Sequence, residues 1–253
     1  MTKVNKSQST FSAFWHIQNN PKPTADKHLN SLKSKKIDFF FGQIDPHFSN
    51  CNFLILPLSE LPSNQYTKNL KSYCISNTTV CDKFNRSFPG SDYFKISSIW
   101  LSKILLFKKL QQFCSSQFIV WRDCVQNVNY KEISEINIDD RVIINDYRFS
   151  KFFPAKPFGG KLLYRMKKYP QFNICAQVIK LPAKILDQFI ETYIECLIFA
   201  DNHFQVYDEE VVLTYMIDKY PDLFHIVYNP YWDKKHNRKP KSNGKFNITS
   251  RRP

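Results

Sequence analysis

Glycine is scarce in this chain, which has only 5 Gly among its 253 residues. Loops that cradle phosphate groups with backbone N–H groups need closely spaced glycines, and neither a GxGxxG nor a Walker pattern occurs. The scarcity therefore argues against dinucleotide-binding dehydrogenases and P-loop NTPases.

The cysteines form no recognisable pairing pattern, since there are 7 of them and no CxxC occurs. Their spacing argues against a zinc site and against the disulfide framework of a secreted domain. Residues 1–10 are polar and lack the apolar stretch of a signal peptide. No run approaches the ~18 apolar residues that a membrane span needs. We therefore predict a cytoplasmic protein.

Positive charge is unevenly distributed along the chain. The formal net charge is +14, and residues 233–253 hold eight Lys/Arg against one acid. Such a stretch is either a solvated tail or a contact with an anionic partner, which would be a membrane surface or nucleic acid. No RNP, KH, zinc-finger or helix-turn-helix signature occurs, so we expect no nucleic-acid partner. We predict one domain over 1–232 and a basic, flexible tail over 233–253, which would hold the protein against the inner face of the membrane.

Alternating strand and helix patterns predict an α/β domain. The first strand, helix and strand have the spacing of a right-handed βαβ unit, which favours a parallel sheet. Segments 59–91 and 126–172 carry few regular signals, so we expect irregular structure there, with short helical pieces in the first. The predicted strands are 11–17, 37–42, 53–56, 118–125, 142–144, 174–179 and 223–228, and the predicted helices are 24–35, 92–113, 182–200 and 208–219.

The strand predicted over 118–125 delivers a single carboxylate to its carboxyl end. Its apolar run FIVW is typical of a strand buried on both faces, and Asp123 follows it closely. Ligands bind at this end of the strands in open α/β sheets. Asp123 is therefore a candidate metal ligand or catalytic carboxylate, or else a residue that caps the following turn.

A lysine interrupts the apolar face of the helix predicted over 92–113. On a helical wheel Lys103 falls near the middle of this face. Its side chain either extends past its neighbours to solvent or points into a cleft toward an anion. The face itself comprises Ile96, Ile99, Trp100, Leu106, Phe107 and Leu110.

Two acidic clusters have simple structural interpretations. Asp187, Glu191 and Glu195 repeat every fourth residue, as on the wet side of a helix. Residues 208–210 (DEE) open a predicted helix, where negative charge suits the helix dipole.

Four segments of the chain, spread over about residues 10–228, carry recognisable motifs. They are 10–17 (TFSAFWHI), 99–104 (IWLSKI), 120–124 (VWRDC), and 207–213 (YDEEVVL) with 219–224 (KYPDLF). In this order they resemble segments of GT-A-type glycosyltransferases, and more narrowly of the HtrL/YibB-like family. The corresponding family patterns are the first strand T-x-x-A-F/Y-x-D-I, the W-x-S-K helix, the W-x-D-A strand and D-E/D-x-V-L … Y-P-x-L-F.

The resemblance implies a single GT-A-like (nucleotide-diphospho-sugar transferase) domain with a mostly parallel central sheet flanked by helices. It implies a nucleotide-sugar donor and a glycan or lipid-linked acceptor. Asp123 would bind Mn²⁺ or Mg²⁺ at the donor diphosphate, which Lys103 and Arg122 would also contact. Asp208 or Glu209 would deprotonate the acceptor hydroxyl. By analogy, Ser12 and Ala13 would lie near the nucleotide base, and Ala176 and Gln177 near the donor or acceptor sugar.

The chain differs from the family pattern at two positions. His16 stands where the pattern has Asp, and Val125 stands where a DxD motif has its second acid. The diphosphate charge could therefore be neutralised by a metal, with His225 or His236 as a further ligand, or by fixed Lys and Arg side chains. The loss of the second acid also raises an alternative function, a non-catalytic protein that binds a glycan or a sugar nucleotide. A nucleic-acid-binding protein is the third hypothesis, and it rests on net charge alone.

Overall fold

A seven-stranded sheet organises the part of the chain that the structure describes. This structure is a computed structural model, and it describes residues 6–15, 37–42, 52–81, 87–123, 130–146, 174–203, 206 and 208–228. The predicted helix 24–35 and the predicted tail 233–253 lie outside these ranges.

The described residues form both strands and helices. The strands are β1 (Gln8–Phe14), β2 (Phe39–Gly42), β3 (Asn52–Ile55), β4 (Thr79–Cys81), β5 (Ser87–Pro89), β6 (Phe118–Arg122), β7 (Val142–Asp146), β8 (Ile174–Pro182) and β9 (Phe224–Tyr228). The α-helices are α1 (Lys68–Ser76), α2 (Gly90–Gln111), α3 (Tyr130–Glu135), α4 (Leu186–His203) and α5 (Glu209–Lys219), and short 3-10 helices cover Leu58–Glu60, Pro62–Gln65, Ala183–Ile185 and Pro221–Leu223.

The main sheet has the strand order β3-β2-β1-β6-β8-β7-β9. All neighbouring pairs are parallel except those of β8, which is antiparallel to both β6 and β7. Six strands thus run in one direction and one strand opposes them. This arrangement confirms the predicted α/β class with a mostly parallel central sheet, and it is consistent with a GT-A-like fold.

Helices cover both faces of this sheet. On the first face, α2 packs through Phe107, whose ring lies 5.0 Å from the ring of Phe11 in an edge-to-face contact. On the same face, α4 packs Phe189 against Phe224 of β9, with ring centroids 5.7 Å apart. On the second face, Ile133 of α3 joins a smaller apolar cluster with Val120, Ile143 and Val178. Strand β6 is therefore buried on both sides, which explains its continuous apolar run FIVW.

Two predictions about helices are corrected by the structure. Pro182 does not begin a helix: it ends β8, opposite Phe118, and α4 starts only at Leu186. The local sequence misled here because proline suits both a first helical turn and a strand end, where no ladder N–H is needed. Segment 59–91, predicted to be mostly irregular, contains the nine-residue helix α1 and the hairpin β4–β5.

The apolar face predicted for α2 from a helical wheel is correct only in the second half of the helix. Leu106, Phe107 and Leu110 are fully buried, whereas Ile96, Ile99 and Trp100 are partly exposed. The second half also buries Leu101, Ile104 and Leu105. A helix enclosed on nearly all sides has no single apolar stripe, so a wheel does not identify its contacts.

The amino end of α1 is capped by a residue from a distant helix. Asp201, near the end of α4, accepts hydrogen bonds from the backbone N–H groups of Asn69 and Leu70, at 2.9 and 3.0 Å. The local residue Thr67 provides no side-chain cap. A carboxylate at this end also complements the helix dipole, so this contact fastens α1 to α4.

Gly90 is required where α2 begins against the end of α1. A Cβ added there would lie 2.0 Å from the carbonyl oxygen of Cys74 and 2.2 Å from that of Asn77. Both obstacles are backbone atoms, so the clash cannot be relieved by a side-chain rotation.

We predict that Gly90→Ala lowers the free energy of unfolding by at least ~1–3 kcal/mol, because α1 and α2 must separate. Urea denaturation monitored by circular dichroism measures this loss. Ser91→Ala, at the exposed neighbouring position, is the control and should change stability little. Equal stability of the two variants would contradict the close approach.

Lys180 is a fully buried lysine on the second face of the sheet. Its ammonium donates to the carbonyl oxygen of Ser134 at 2.8 Å and to Asn137 Oδ1 at 3.0 Å, and it lies 4.3 Å from the ring centroid of Phe118. A cation at the carboxyl end of α3 is favoured by the helix dipole. Burial nevertheless lowers the pKa of Lys180 to about 8.

This lowered pKa predicts a pH dependence of stability. Between about pH 8 and pH 10.5 the unfolded chain binds more protons at this lysine than the folded chain does. The contribution of Lys180 to the free energy of unfolding should therefore rise with pH through this window, by up to ~3 kcal/mol. Urea denaturation of wild type and Lys180→Met at several pH values isolates the effect, because other titrating groups cancel in the difference. A difference that does not change with pH would contradict it.

Candidate functional site

The candidate site lies at the edge of the sheet where the parallel strands have their carboxyl ends. Asp123 directly follows β6, and its backbone N–H donates to the carbonyl oxygen of Gln177 at 2.8 Å. Because β8 is antiparallel, its amino end lies at this same edge. The structure thus brings Asp123, Ala176 and Gln177 together, although they come from segments far apart in the sequence.

Lys103 points toward carboxylates and not to solvent. Its Nζ lies 2.9 Å from Asp123 Oδ1 and 2.7 Å from Glu209 Oε1, and its side chain is only 6% exposed. Of the two sequence-based alternatives for this lysine, extension to solvent is therefore wrong. The anions that it meets belong to the chain itself, one from β6 and one from α5.

Trp121 also holds Asp123 in place. Its indole Nε1–H donates to Asp123 Oδ1, and its ring lies 5.3 Å from the Lys103 ammonium. Side chains two residues apart on an extended chain point to the same face, so the W-x-D spacing places these groups together. The Asp123 side chain is 24% exposed, against 6% for Lys103 and 4% for Glu209. Asp123 is therefore the member of this trio that an incoming molecule can reach.

The acidic start of α5 faces the site from the first side of the sheet. Asp208 is the N-cap of α5, and its Oδ1 accepts the N–H of Val211 at 3.2 Å. Glu210 accepts the backbone N–H of Ala176 at 3.2 Å. Both Asp208 and Glu209 are buried. The predicted helix start at Asp208 is correct, and the acids serve the helix as well as the site.

Burial and charge shift the ionisation of the Lys103–Glu209 pair. Burial raises the pKa of Glu209 to about 8; the Lys103 ammonium opposes this rise, and the charges of Asp208 and Glu210 add to it. Burial alone would lower the pKa of Lys103, but the charges of Asp123 and Glu209 raise it overall. Lys103 is therefore a cation at neutral pH.

Arg122 and Ser12 lie on the second face of the sheet, away from Lys103. The Arg122 guanidinium stacks on the ring of Tyr130, 3.9 Å from its centroid, and Tyr130 OH bonds Thr10 Oγ1 at 2.9 Å. Ser12 is fully buried, and its Oγ has no hydrogen-bond partner among the residues that the structure describes. Alternation along β6 thus separates Arg122 from Lys103, so the two do not form one cationic pair.

Ala13 lies near the carboxyl end of β1. β1 pairs with β6 in parallel register, and the last pair is Phe11 with Trp121, so Ala13 and Asp123 each lie two residues beyond this pair on their own segments. The predicted position of Ser12 and Ala13 near a nucleotide base stays a prediction.

The residues present do not suit a divalent cation at Asp123. Within the described ranges, no three His, Cys, Asp or Glu side chains are grouped so that they could hold a metal ion. His225 lies on β9, which is separated from β6 by two strands, and His16 and His236 lie outside the described residues. The charge of Asp123 already faces the Lys103 ammonium. A metal at Asp123 stays a prediction from the resemblance, and the side-chain arrangement argues against it.

Sequence reasoning missed three residues of the site. Trp121 positions Asp123 through a hydrogen bond, and Tyr130 positions Arg122 by stacking. Glu210 holds β8 through the N–H of Ala176. The W-x-D spacing was a usable signal for Trp121. For the other two residues the local sequence holds no such signal, because each meets its partner only through the packing of separate elements, Tyr130 of α3 against β6 and Glu210 of α5 against β8.

Comparisons with known proteins give a distant likeness among solved structures. No family model and no curated protein sequence matches the chain. Among solved structures, the chain is similar to a glycosyltransferase involved in the glycosylation of the major capsid of PBCV-1, with a TM-score of 0.38 and 12% sequence identity, covering 89% of this chain and 82% of that chain. A likeness at this level carries no functional conclusion by itself.

The Lys103–Glu209 pair generates a prediction about stability. Lys103→Met should lower the free energy of unfolding by about 3–5 kcal/mol, because Glu209 is left buried without its cation. Glu209→Gln should cost less, since Lys103 keeps Asp123. The double variant Lys103→Met/Glu209→Gln should be more stable than Lys103→Met alone.

Urea denaturation of wild type, the two single variants and the double variant gives the coupling energy between Lys103 and Glu209. The exposed pair Lys108–Asp187 is the control, and a cycle of Lys108→Met and Asp187→Asn should show a coupling of only about 0–1 kcal/mol. Additive effects at Lys103 and Glu209 would rule out their direct interaction.

Proposed function

We propose that this protein is a glycosyltransferase that moves a sugar from a nucleotide-sugar donor to a hydroxyl group of a glycan or a lipid-linked acceptor. The observation that carries the proposal is a partly exposed carboxylate, Asp123, held in a fixed orientation at the carboxyl edge of a mostly parallel sheet. The four sequence motifs support it, since each carries a residue of this edge. Membership of the HtrL/YibB-like family rests on those motifs alone and is part of the proposal.

In the proposed reaction the bond between the anomeric carbon and the diphosphate oxygen breaks, and its electron pair leaves with the nucleoside diphosphate. The acceptor oxygen forms the new bond to that carbon, and its proton passes to a carboxylate. Asp123 is our candidate for contact with the reacting groups because it is more exposed than Lys103 or Glu209. Lys103 and Trp121 would fix its orientation.

The roles predicted for the remaining residues are proposals of different strength. Burial raises the pKa of Glu209, which makes its ionised form a stronger base than an ordinary carboxylate, but its burial requires that the site open before a substrate reaches it. Asp208 already has a structural role, because it caps α5 by accepting the N–H of Val211. Ala13, Ala176 and Gln177 lie at the same edge as Asp123, and we propose that they contact the donor. Ala13 and Ala176 are buried, so they too require that the site open.

Ser12 and Arg122 would bind from the second face of the sheet. A contact of the basic tail 233–253 with an anionic membrane stays a prediction, as does cytoplasmic location. Within the described ranges, no helix is long and apolar enough to cross a bilayer.

The proposal predicts that sugar nucleotides bind the folded protein. At a concentration of 100 times Kd, a donor stabilises the fold by about 2.7 kcal/mol, which raises Tm by roughly 5–10 °C for a protein of this size. A thermal-shift screen against sugar nucleotides measures this without a known acceptor. A screen in which no donor raises Tm would argue against the function.

Asp123→Asn should lower the transfer rate at least ~100-fold while the circular dichroism spectrum stays unchanged. The control is Asp187→Asn, which replaces an exposed carboxylate at the start of α4 and should keep wild-type activity. Wild-type turnover by Asp123→Asn would remove Asp123 from the site.

A non-catalytic binding protein is the second candidate, and the burial of Asp208 and Glu209 favours it. Such a protein would bind a sugar nucleotide and show neither hydrolysis nor transfer of the donor. Measurement of released nucleoside diphosphate, with and without added glycan acceptors, distinguishes the two candidates.

A further inference from the structure

Three separate elements converge on one ammonium group at the candidate site. Lys103 comes from α2, Asp123 follows β6, and Glu209 opens α5. The Nζ of Lys103 lies 2.9 Å from Asp123 Oδ1 and 2.7 Å from Glu209 Oε1. Two carboxylates that approach a single point are otherwise an arrangement that binds a metal ion. Here the point is occupied by a positive charge that belongs to the chain.

This ammonium cannot readily give way to a divalent cation. A metal bound to Asp123 would lie ~2.1 Å from a carboxylate oxygen and hence within about 5 Å of Lys103 Nζ, where two positive charges shielded from water repel strongly. The lysine has little room to withdraw, since its side chain is 6% exposed. It is also flanked along α2 by the buried residues Leu101, Ser102, Ile104 and Leu105.

We propose that Lys103 is the resident cation of this site and that it excludes divalent cations from Asp123. Removal of the ammonium alone would then turn Asp123 and Glu209 into a divalent-cation site. A further consequence rests on the proposed transfer reaction: the donor binds without Mn²⁺ or Mg²⁺.

The test is a titration of the full chain with Mn²⁺ alone, in which electron paramagnetic resonance reports the free ion. Wild type should show no saturable binding that depends on Asp123. Lys103→Met should bind one Mn²⁺ at least ~10-fold more tightly than wild type, and Lys103→Met/Asp123→Asn should lose this gain.

Lys95→Met is the matched control. Lys95 is on the same helix and pairs with the buried carboxylate of Asp92 at 3.1 Å, but it bridges no second acid among the described residues. Its replacement should leave Mn²⁺ binding as in wild type. A gain equal to that of Lys103→Met would show that loss of any lysine on α2 suffices, and would overturn the proposal.

Two further outcomes overturn it. One is saturable Mn²⁺ binding by wild type that Asp123→Asn abolishes, since Asp123 would then be a ligand with Lys103 in place. The other is a folded Lys103→Met that binds Mn²⁺ no more tightly than wild type. Should Lys103→Met fail to fold, the comparison of wild type with Asp123→Asn still decides.

A donor thermal shift separates this inference from the proposed function. A donor that raises Tm equally in EDTA and in Mn²⁺ supports both. A shift that appears only with Mn²⁺ and disappears in Asp123→Asn overturns the proposal that Lys103 is the resident cation. Absence of any shift counts against the glycosyltransferase, while the Mn²⁺ titration still tests Lys103, because it requires no donor.

Discussion

The charge cluster of Lys103, Asp123 and Glu209 constrains the rest of the structure more than any other interaction. A lysine and a glutamate removed from water are tolerated only when each is paired, because an isolated buried charge costs several kcal/mol. The pairing therefore requires α2, the end of β6 and the start of α5 to meet at one point. A buried ion pair often contributes no more to stability than well-packed apolar side chains of the same volume, so a role at the site explains the cluster better than stability does.

The antiparallel strand β8 completes this meeting point. It separates β6 from β7 and presents its amino end where its neighbours have their carboxyl ends. Ala176 donates its N–H to Glu210, and the carbonyl oxygen of Gln177 accepts from Asp123. A strand end, a strand start and a helix start thus share one edge, which is where open α/β sheets bind ligands.

Lys103 and Glu209 are buried beneath Asp123, and this burial affects how the site would work. An accessible carboxylate supported by an internal cation keeps its orientation without a metal, and a preorganised group of this kind needs little rearrangement during reaction. Arg122, on the other face of the sheet, is stacked on Tyr130 and cannot take over the role of Lys103. The two faces therefore present different chemistry at the same edge.

The sequence by itself determined the α/β class, most strand positions, the helix start at Asp208 and the position of Asp123 at a strand end. These follow from local patterns, since alternation and apolar runs are properties of neighbouring residues. Only the tertiary structure decided the direction of β8, the strand role of Pro182 and the partners of Lys103. A buried strand has the same apolar pattern in either direction, and an apolar helix face does not reveal which distant acid will reach a lysine within it. Long-range packing settles both, because it alone brings the opposite charges within contact distance.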